Sequence, residues 1–364
     1  MIVQHSCRDP RTTLHTHQSK SGCPFRHLGV MGSGRVSVSS SATAAGHVPV
    51  LRDEAIAALQ PRAGGRYIDG TFGGGGHSRE ILAASAPDGV VLALDADPAA
   101  IARAEAMRAD AAIGGRLIPV QSNFADLAEV AQEQGITPVD GVLLDLGLSS
   151  FQLDSPERGF AFRLDGPLDM RFDPTRGVPA SELVNTLPEA ELADLIWRYG
   201  EEQGSRRIAR AVVRERSSAP IQSTAQLAAI VERALGGRRG RDTHPATRTF
   251  QALRIATNDE MGALESALLE AVGVLAPGGR LAVIAFHSLE DRHVKRFIER
   301  ESATCVCPPE LPICVCNHQP RLSKVTRRAI RPTAEEAASN PRARSAVLRV
   351  AERLPSPAVT GDLA

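Results

Sequence analysis

The chain has 364 residues, with 42 Lys+Arg balanced by 42 Asp+Glu, 43% hydrophobic residues and 23% charged residues. That length accommodates about two domains or one large domain with an insertion, and the apolar share suffices for a sizeable core. No uninterrupted apolar run approaches the ~20 residues a bilayer-spanning helix needs, which excludes a helical membrane protein. The zero net charge argues against a nucleic-acid partner only if the charge is evenly spread.

It is not evenly spread. Residues 1–45 carry Arg8, Arg11, Lys20, Arg26 and Arg35 against Asp9 alone, and they hold Cys7, Cys23 and four of the ten histidines. They show no apolar periodicity and no secretory signal, so they are expected to be a disordered extension, with Met31 an alternative natural start. From His47 onward the pattern becomes α/β. Val48–Leu59 reads as an entry segment and short amphipathic helix. Tyr67–Thr71 reads as a strand running into Gly73-Gly74-Gly75-Gly76, and Ser78–Ala84 as the following helix. Val90–Asp95 is a second strand, Ala99–Met107 a helix, Leu117–Val120 a third strand and Gly141–Leu146 a fourth. Short apolar runs alternating with helical patterns predict parallel strands covered on both faces.

The rhythm breaks between Ser155 and Arg241, where Glu189–Tyr199, Gly204–Arg216 and Thr224–Leu235 read as helices and no strand is convincing. It resumes with one long helix over Thr247–Val274, the turn Pro277-Gly278-Gly279 and strand Arg280–Phe286, then a last strand over Ala346–Val350. The expected organisation is a discontinuous sheet domain (46–154 and 246–352) interrupted by a helical insertion (155–245), with a disordered tail at 353–364.

A glycine loop between a strand and a helix suits a nucleotide-like cofactor, because glycines admit the ligand to the backbone and the helix start offers free N–H groups. The dinucleotide pattern GxGxxG fails here, since position 78 is serine. An acid at Asp69, just before the glycines, disfavours a pyrophosphate and favours the ammonium of S-adenosylmethionine. Asp95, ending the second strand, is placed to accept hydrogen bonds from ribose hydroxyls, a feature common to both cofactors.

Seven motifs then occur in order: HVPVL (47–51), YIDGTFG (67–73) with GGHS (75–78), DLGLSS (145–150), GPLDMR (166–171), HPATRTFQALR (244–254) and FHSLEDR (286–292). Together they resemble the RsmH (MraW) family, bacterial methyltransferases acting on the exocyclic N4 of a cytidine in the decoding region of 16S ribosomal RNA. The resemblance runs from about His47 to Glu352. It implies a Rossmann-like S-adenosylmethionine-dependent methyltransferase sheet carrying an inserted helical domain for RNA recognition. It also implies a cytoplasmic enzyme whose partner is 16S rRNA within the small ribosomal subunit. Carried over by position, its cofactor contacts fall on Gly75, Gly76, His77, Asp95, Phe124, Asp145 and Gln152. His77 alone, at a helix start, equally fits a capping or packing residue.

Many amino-methyltransferases place an Asp or Asn with Pro-Pro-aromatic at the end of the fourth strand, and this chain departs from that with DLGLSS. The expected catalytic residues are Asp145 as acceptor for the target amine, with Ser149 or Ser150 nearby; the alternative is Asp145 as a cofactor ligand only. A cytidine in structured RNA must be unstacked to react. Arg158, Phe160, Arg163 and Arg171 in one loop, and His287 and Arg292 after the fifth strand, are expected to face the RNA. From Arg198 to Arg241 there are ten arginines against four acids, Arg206, Arg207 and Arg210 among them, and Arg321–Arg331 carries five cations and no acid. Such clusters suit phosphate contacts, although a solvated helix face has the same composition. Finally, Cys305, Cys307, Cys314 and Cys316 form a CxC–x6–CxC pattern, whose spacing permits a zinc site with four thiolates; ordinary packing is the competing reading.

Rival readings weaken on the same residues. An NAD-dependent oxidoreductase lacks its fingerprint, and a non-catalytic RNA-binding protein leaves the Asp69–glycine–Asp95 arrangement unexplained. A methyltransferase for another nucleic acid or a protein is set aside only by the resemblance.

Overall fold

Residues 90–95 and 139–145 form strands because their apolar runs are short, β-branched and leucine-rich, and bounded by glycine or aspartate. The computed structural model describes residues 49–238, 243–311 and 313–355. The expected N-terminal extension with its two cysteines, His47 and Val48 of the first motif, Arg239, Arg241 and residues 356–364 of the expected tail lie outside the described residues.

The described strands are β1 (Arg66–Asp69), β2 (Val90–Asp95), β3 (Leu117–Gln121), β4 (Val139–Asp145), β5 (Leu275–Ala285), β6 (Leu322–Lys324) and β7 (Val347–Arg353). They make one sheet in the order β3-β2-β1-β4-β5-β7-β6. Strands β1 to β5 pair in parallel, while β7 is antiparallel to both β5 and β6. The order reverses between β1 and β4, and at such a switch point the carboxyl ends of the strands open a crevice for a ligand.

The helices are α1 (Arg52–Leu59), α2 (Gly76–Ala84), α3 (Pro98–Arg108), α4 (Leu127–Glu133), α5 (Ser150–Asp154), α6 (Ala180–Thr186) and α7 (Glu189–Gly200), followed by α8 (Ser205–Arg216), α9 (Thr224–Ala234), α10 (Thr247–Asn258), α11 (Glu260–Val274), α12 (Ser288–Glu301) and α13 (Ala334–Ser339). Side chains alternate across the sheet. Tyr67, Val91, Ala93 and Leu143 pack on α1, α2 and α3 on one face. Ile68, Leu92, Leu94, Val142 and Leu144 pack with Leu264 and Leu268 of α11 and Val294 and Ile298 of α12 on the other. A third core, built on α6 to α10 and the loops that flank them, includes Leu192, Ile196, Ile208, Val212, Leu227 and Val231. Among the described residues, no helix is long and apolar enough to cross a membrane.

Three differences from the expected elements have physical causes. The long helix over 247–274 is two helices, because Asp259 adopts a left-handed conformation (φ 46°) that ends α10 and starts α11. The break lets α10 bury Phe250 and Leu253 in the helical core while α11 lies on the sheet, so that core extends past the expected boundary at 245. Strand β5 begins at Leu275 rather than at Arg280, since Leu275 pairs with Val139 before an irregularity restores the register at Gly141–Arg280. Strand β7 extends to Arg353, into the expected tail.

Candidate active site

The glycine loop is built from the backbone outward. Gly73 and Gly75 have φ of 53° and 77°, and a Cβ on Gly75 would lie 2.4 Å from the Phe72 ring, so a side chain there is both strained and blocked. The loop is fastened to both neighbouring strands. Gly73 N–H donates to Asp95 Oδ2 at 2.8 Å, and Ser78 Oγ donates to Asp69 Oδ2 at 2.6 Å. Asp69 is buried, and Thr71 N–H donates to its other oxygen at 3.2 Å. Burial raises its pKa against these hydrogen bonds. Its contacts make Asp69 a fastener of the loop. Asp95 also accepts from Asp97 N–H at 2.9 Å. Burial pushes the Asp95 carboxyl up to about 6, although the Asp97 and Gly73 amides work the other way. Phe124, half-buried, follows β3, and its Cβ packs where a side chain on Gly70 would stand.

Asp145 ends β4, its N–H donating to Thr71 Oγ1 at 2.7 Å. His77, at the start of α2, is 5% exposed, with Nε2 3.4 Å from Asp145 Oδ2. Burial works against the imidazolium, but Asp145, Asp69 and Glu80 together raise the His77 pKa. Both ring nitrogens of His77 and Oδ1 of Asp145 are buried without a hydrogen-bond partner of good geometry. Buried polar atoms in this condition are costly in a folded protein and are characteristic of sites that receive a polar ligand. The residues therefore fit a cofactor and substrate: an open backbone loop, an acid at the end of β2, and an unsatisfied acid–imidazole pair at the end of β4.

Around this core several expected residues turn out to hold the structure. Ser149 caps α5 in a reciprocal capping box with Gln152. Gln152 is buried and donates from Nε2 to Asp97 Oδ2 at 2.9 Å. Arg158 joins the same oxygen at 2.7 Å and reaches the carbonyls of Arg171 and Phe172. Asp97 was not singled out by the sequence, yet it is a hub: it also caps α3, accepting from Ala99 N–H at 3.0 Å. Its signal was present in Asp97-Pro98, an N-cap residue followed by proline at the first helical position. A second missed residue is Arg342, whose Nη1 donates to Ser150 Oγ at 2.6 Å and whose pKa burial lowers against the charges of Asp154 and Asp145. It lies in the Asn340–Ser345 stretch just before β7, where spacing gave no hint.

The residues expected to face RNA divide. Phe160 does not offer a ring to a base: it is 5% exposed and stacks on Phe172, with centroids 5.6 Å apart, inside the helical core. Arg171 is held by Asp169 through two hydrogen bonds of 2.9 and 2.7 Å. His287 caps α12, its Nε2 2.9 Å from Glu290 Oε1, and Glu290 also accepts from Phe286 N–H at 2.8 Å. Burial favours a neutral Glu290, but His287 and Arg254 hold its carboxyl below the usual range. Arg292 pairs with Glu201 at 2.7 Å, bridging α12 to the end of α7. Arg163, Arg206, Arg207 and Arg210 are exposed. Arg207 and Arg210 line a groove of about 310 Å³ with Arg214 and Arg233. Arg216, by contrast, donates to the carbonyls of Val184 and Leu187, both at 2.6 Å, and so ties α8 to the end of α6.

The family model for the MraW methylase family matches residues 44–354. The chain is 61% identical over 308 residues to the ribosomal RNA small subunit methyltransferase H of Thermomicrobium roseum, covering 85% of this chain and 94% of that one. It is 52% identical to the protein of the same name from Dehalococcoides mccartyi, over 85% of this chain and 87% of the relative. A third, from Carboxydothermus hydrogenoformans, is 51% identical, over 85% and 98% of the two chains. At such identity, over nearly the whole of each relative, the protein belongs to the MraW methylase family.

Proposed function

We propose that the protein transfers a methyl group from S-adenosylmethionine to the exocyclic N4 of a cytidine in 16S ribosomal RNA, acting in the cytoplasm on the small ribosomal subunit. The observation that carries the reading is the unsatisfied Asp145–His77 pair at the carboxyl ends of β1 and β4, beside an open glycine loop. The names of the relatives support a small-subunit rRNA substrate, and the motif resemblance supports N4 of cytidine.

S-adenosylmethionine supplies an electrophilic methyl group, so positioning is most of the protein's task. Gly75 and Gly76 would let the backbone approach the methionine end, Asp95 would accept from the ribose hydroxyls, and Phe124 would wall the adenine. Asp145 Oδ1 accepts a hydrogen bond from the cytosine amine. This localises the nitrogen lone pair that the ring otherwise withdraws. N4 gains the methyl and sheds one proton, which Asp145 receives. His77, with Nε2 3.4 Å from Asp145 Oδ2, is a positioning residue that holds the carboxylate in place. Ser150 accepts a hydrogen bond from Arg342. Unstacking of the target base is driven by phosphate contacts on the exposed arginines.

The deciding experiment is transfer of labelled methyl from S-adenosylmethionine to 16S RNA and to 30S particles, followed by nucleoside analysis. N4-methylcytidine in either is the expected product. Its absence from both, or label in another nucleoside or in protein, overturns the reading.

A further inference from the structure

Residues 302–321 connect α12 to β6, and the described residues among them form neither helix nor strand. The two ends of the segment meet. Arg321 N–H donates to the Glu301 carbonyl at 2.8 Å, Arg321 Nε to Glu301 Oε2 at 2.6 Å, and His318 Nε2 lies 3.0 Å from the Arg300 carbonyl. Between those anchors no apolar core holds the described residues. Val306, Leu311, Ile313 and Val315 are 38%, 47%, 75% and 69% exposed, and none joins the three hydrophobic cores. A long excursion without secondary structure or buried apolar area has little to offset its ordering entropy.

What gathers it is sulfur. Cys305, Cys307, Cys314 and Cys316 bring their four Sγ atoms within 4.8 Å of one another. Two CxC pairs facing each other present four sulfurs to one point. Cys314 and Cys316 Sγ are 3.6 Å apart, and Cys316 and Cys305 Sγ 3.8 Å. A disulfide requires about 2.05 Å, and the four cysteines are free. Four sulfurs placed tetrahedrally at ~2.3 Å from a zinc ion are about 3.8 Å from one another. Three of the sulfurs also accept backbone N–H groups: Val306 to Cys316, Cys307 to Cys305 and Val315 to Cys307, each at 3.4 Å. Amide donors of this kind offset the negative charge that accumulates on a thiolate ligand set and fix ligand direction.

We propose that Cys305, Cys307, Cys314 and Cys316 bind one zinc ion as four thiolates, and that this ion takes the place of a hydrophobic core for residues 302–321. The set is closed, with all four positions filled by protein, which makes the site structural. It is separate from the Asp145–His77 site, and its assignment does not depend on the methyl-transfer reading.

The test uses the full-length protein, purified under reducing conditions without chelator. Elemental analysis is expected to give one zinc per chain, lost when all four cysteines are changed to serine. Cobalt exchanged into the wild-type protein is expected to give thiolate-to-cobalt charge transfer and the intense visible bands of a tetrahedral site. Cys316→Ser alone should shift those bands, a readout that stands if the fourfold variant fails to fold. In the fourfold variant, amide exchange should accelerate across 302–321, while S-adenosylmethionine binding measured by calorimetry is unchanged. Four titratable thiols with no metal, two disulfides, iron in place of zinc, or zinc retained by the fourfold variant would each overturn the assignment.

Discussion

The crevice at the ends of β1 and β4 and the helical region from α6 to α10 use charge in opposite ways. In the crevice the ionisable groups are few and short-range: Asp69 and His77 are buried, Asp95 and Asp145 half-buried, and the His77 ring nitrogens and Asp145 Oδ1 lack hydrogen-bond partners of good geometry. On the helical region the charges are many and solvated. Arg210 and Arg233 approach acids only at 3.6 and 3.3 Å, with well over half of each arginine side chain exposed. Exposed pairs of this kind contribute little to stability and are screened by salt. The first arrangement suits chemistry at a fixed point, and the second suits long-range attraction to a polyanion. Asp97 connects the two, since it caps α3 beside the cofactor loop and accepts from Arg158 at the entrance to the helical region.

Substitutions that act on one region and spare the other sharpen this contrast. The largest effect is expected from Asp145→Ala, which should lower methyl transfer on the order of 10³-fold. Its thermal unfolding midpoint should stay near that of the wild type. Activity within a few-fold of wild type would remove Asp145 from the chemistry. Asp97→Ala should cost about 3–5 kcal/mol in denaturant unfolding, because it strips a partly buried Arg158 of its partner and removes a helix cap. A loss under ~1 kcal/mol would show that the two regions are not joined through it.

Smaller effects follow from pH and salt. The Asp95 carboxyl has its folded pKa raised to about 6. Its ionised form therefore opposes folding above that pH, and stability should fall as pH rises from ~4 to ~6. Hydrogen bonding to ribose uses the ionised form, so S-adenosylmethionine affinity should fall about tenfold between neutral pH and pH ~5, one unit below that value. Asp95→Asn should flatten this dependence in calorimetry. Changing Arg207, Arg210 and Arg214 together to alanine should weaken RNA binding and reduce the slope of log affinity against log salt by about two to three. S-adenosylmethionine affinity should not move; an unchanged salt slope would return these arginines to the role of a solvated face. The smallest effect belongs to Asp259→Gly, which relieves a left-handed non-glycine residue and should stabilise the fold by roughly 0.5 kcal/mol, once the added freedom of the unfolded chain is counted.

Much of this molecule was written in its sequence. Buried parallel strands announce themselves as short apolar runs, and the glycine loop after Asp69 and the acids at the ends of β2 and β4 follow from strand boundaries alone, because those patterns are local. The helical region was legible as a break in rhythm for the same reason. Side-chain allegiance was not. Phe160 in an Arg-Gly-Phe loop reads as a solvent-facing ring, and only tertiary packing places it on Phe172. Arg158, Arg171 and Arg292 read as free cations, but Asp97, Asp169 and Glu201 claim them. The break at Asp259 was invisible because no proline or glycine marks it; two cores pulling α10 and α11 in different directions set it. Arg342 reached Ser150 across 192 residues. The parallel strands and the chemistry carried at their ends were legible in the sequence, where neighbours along the chain are neighbours in space, whereas β6 and the antiparallel pairing of β7 were not. Tertiary structure alone decided which charges are used up inside the protein and which remain for a partner, since an ion pair depends on distance through space and leaves no local signature.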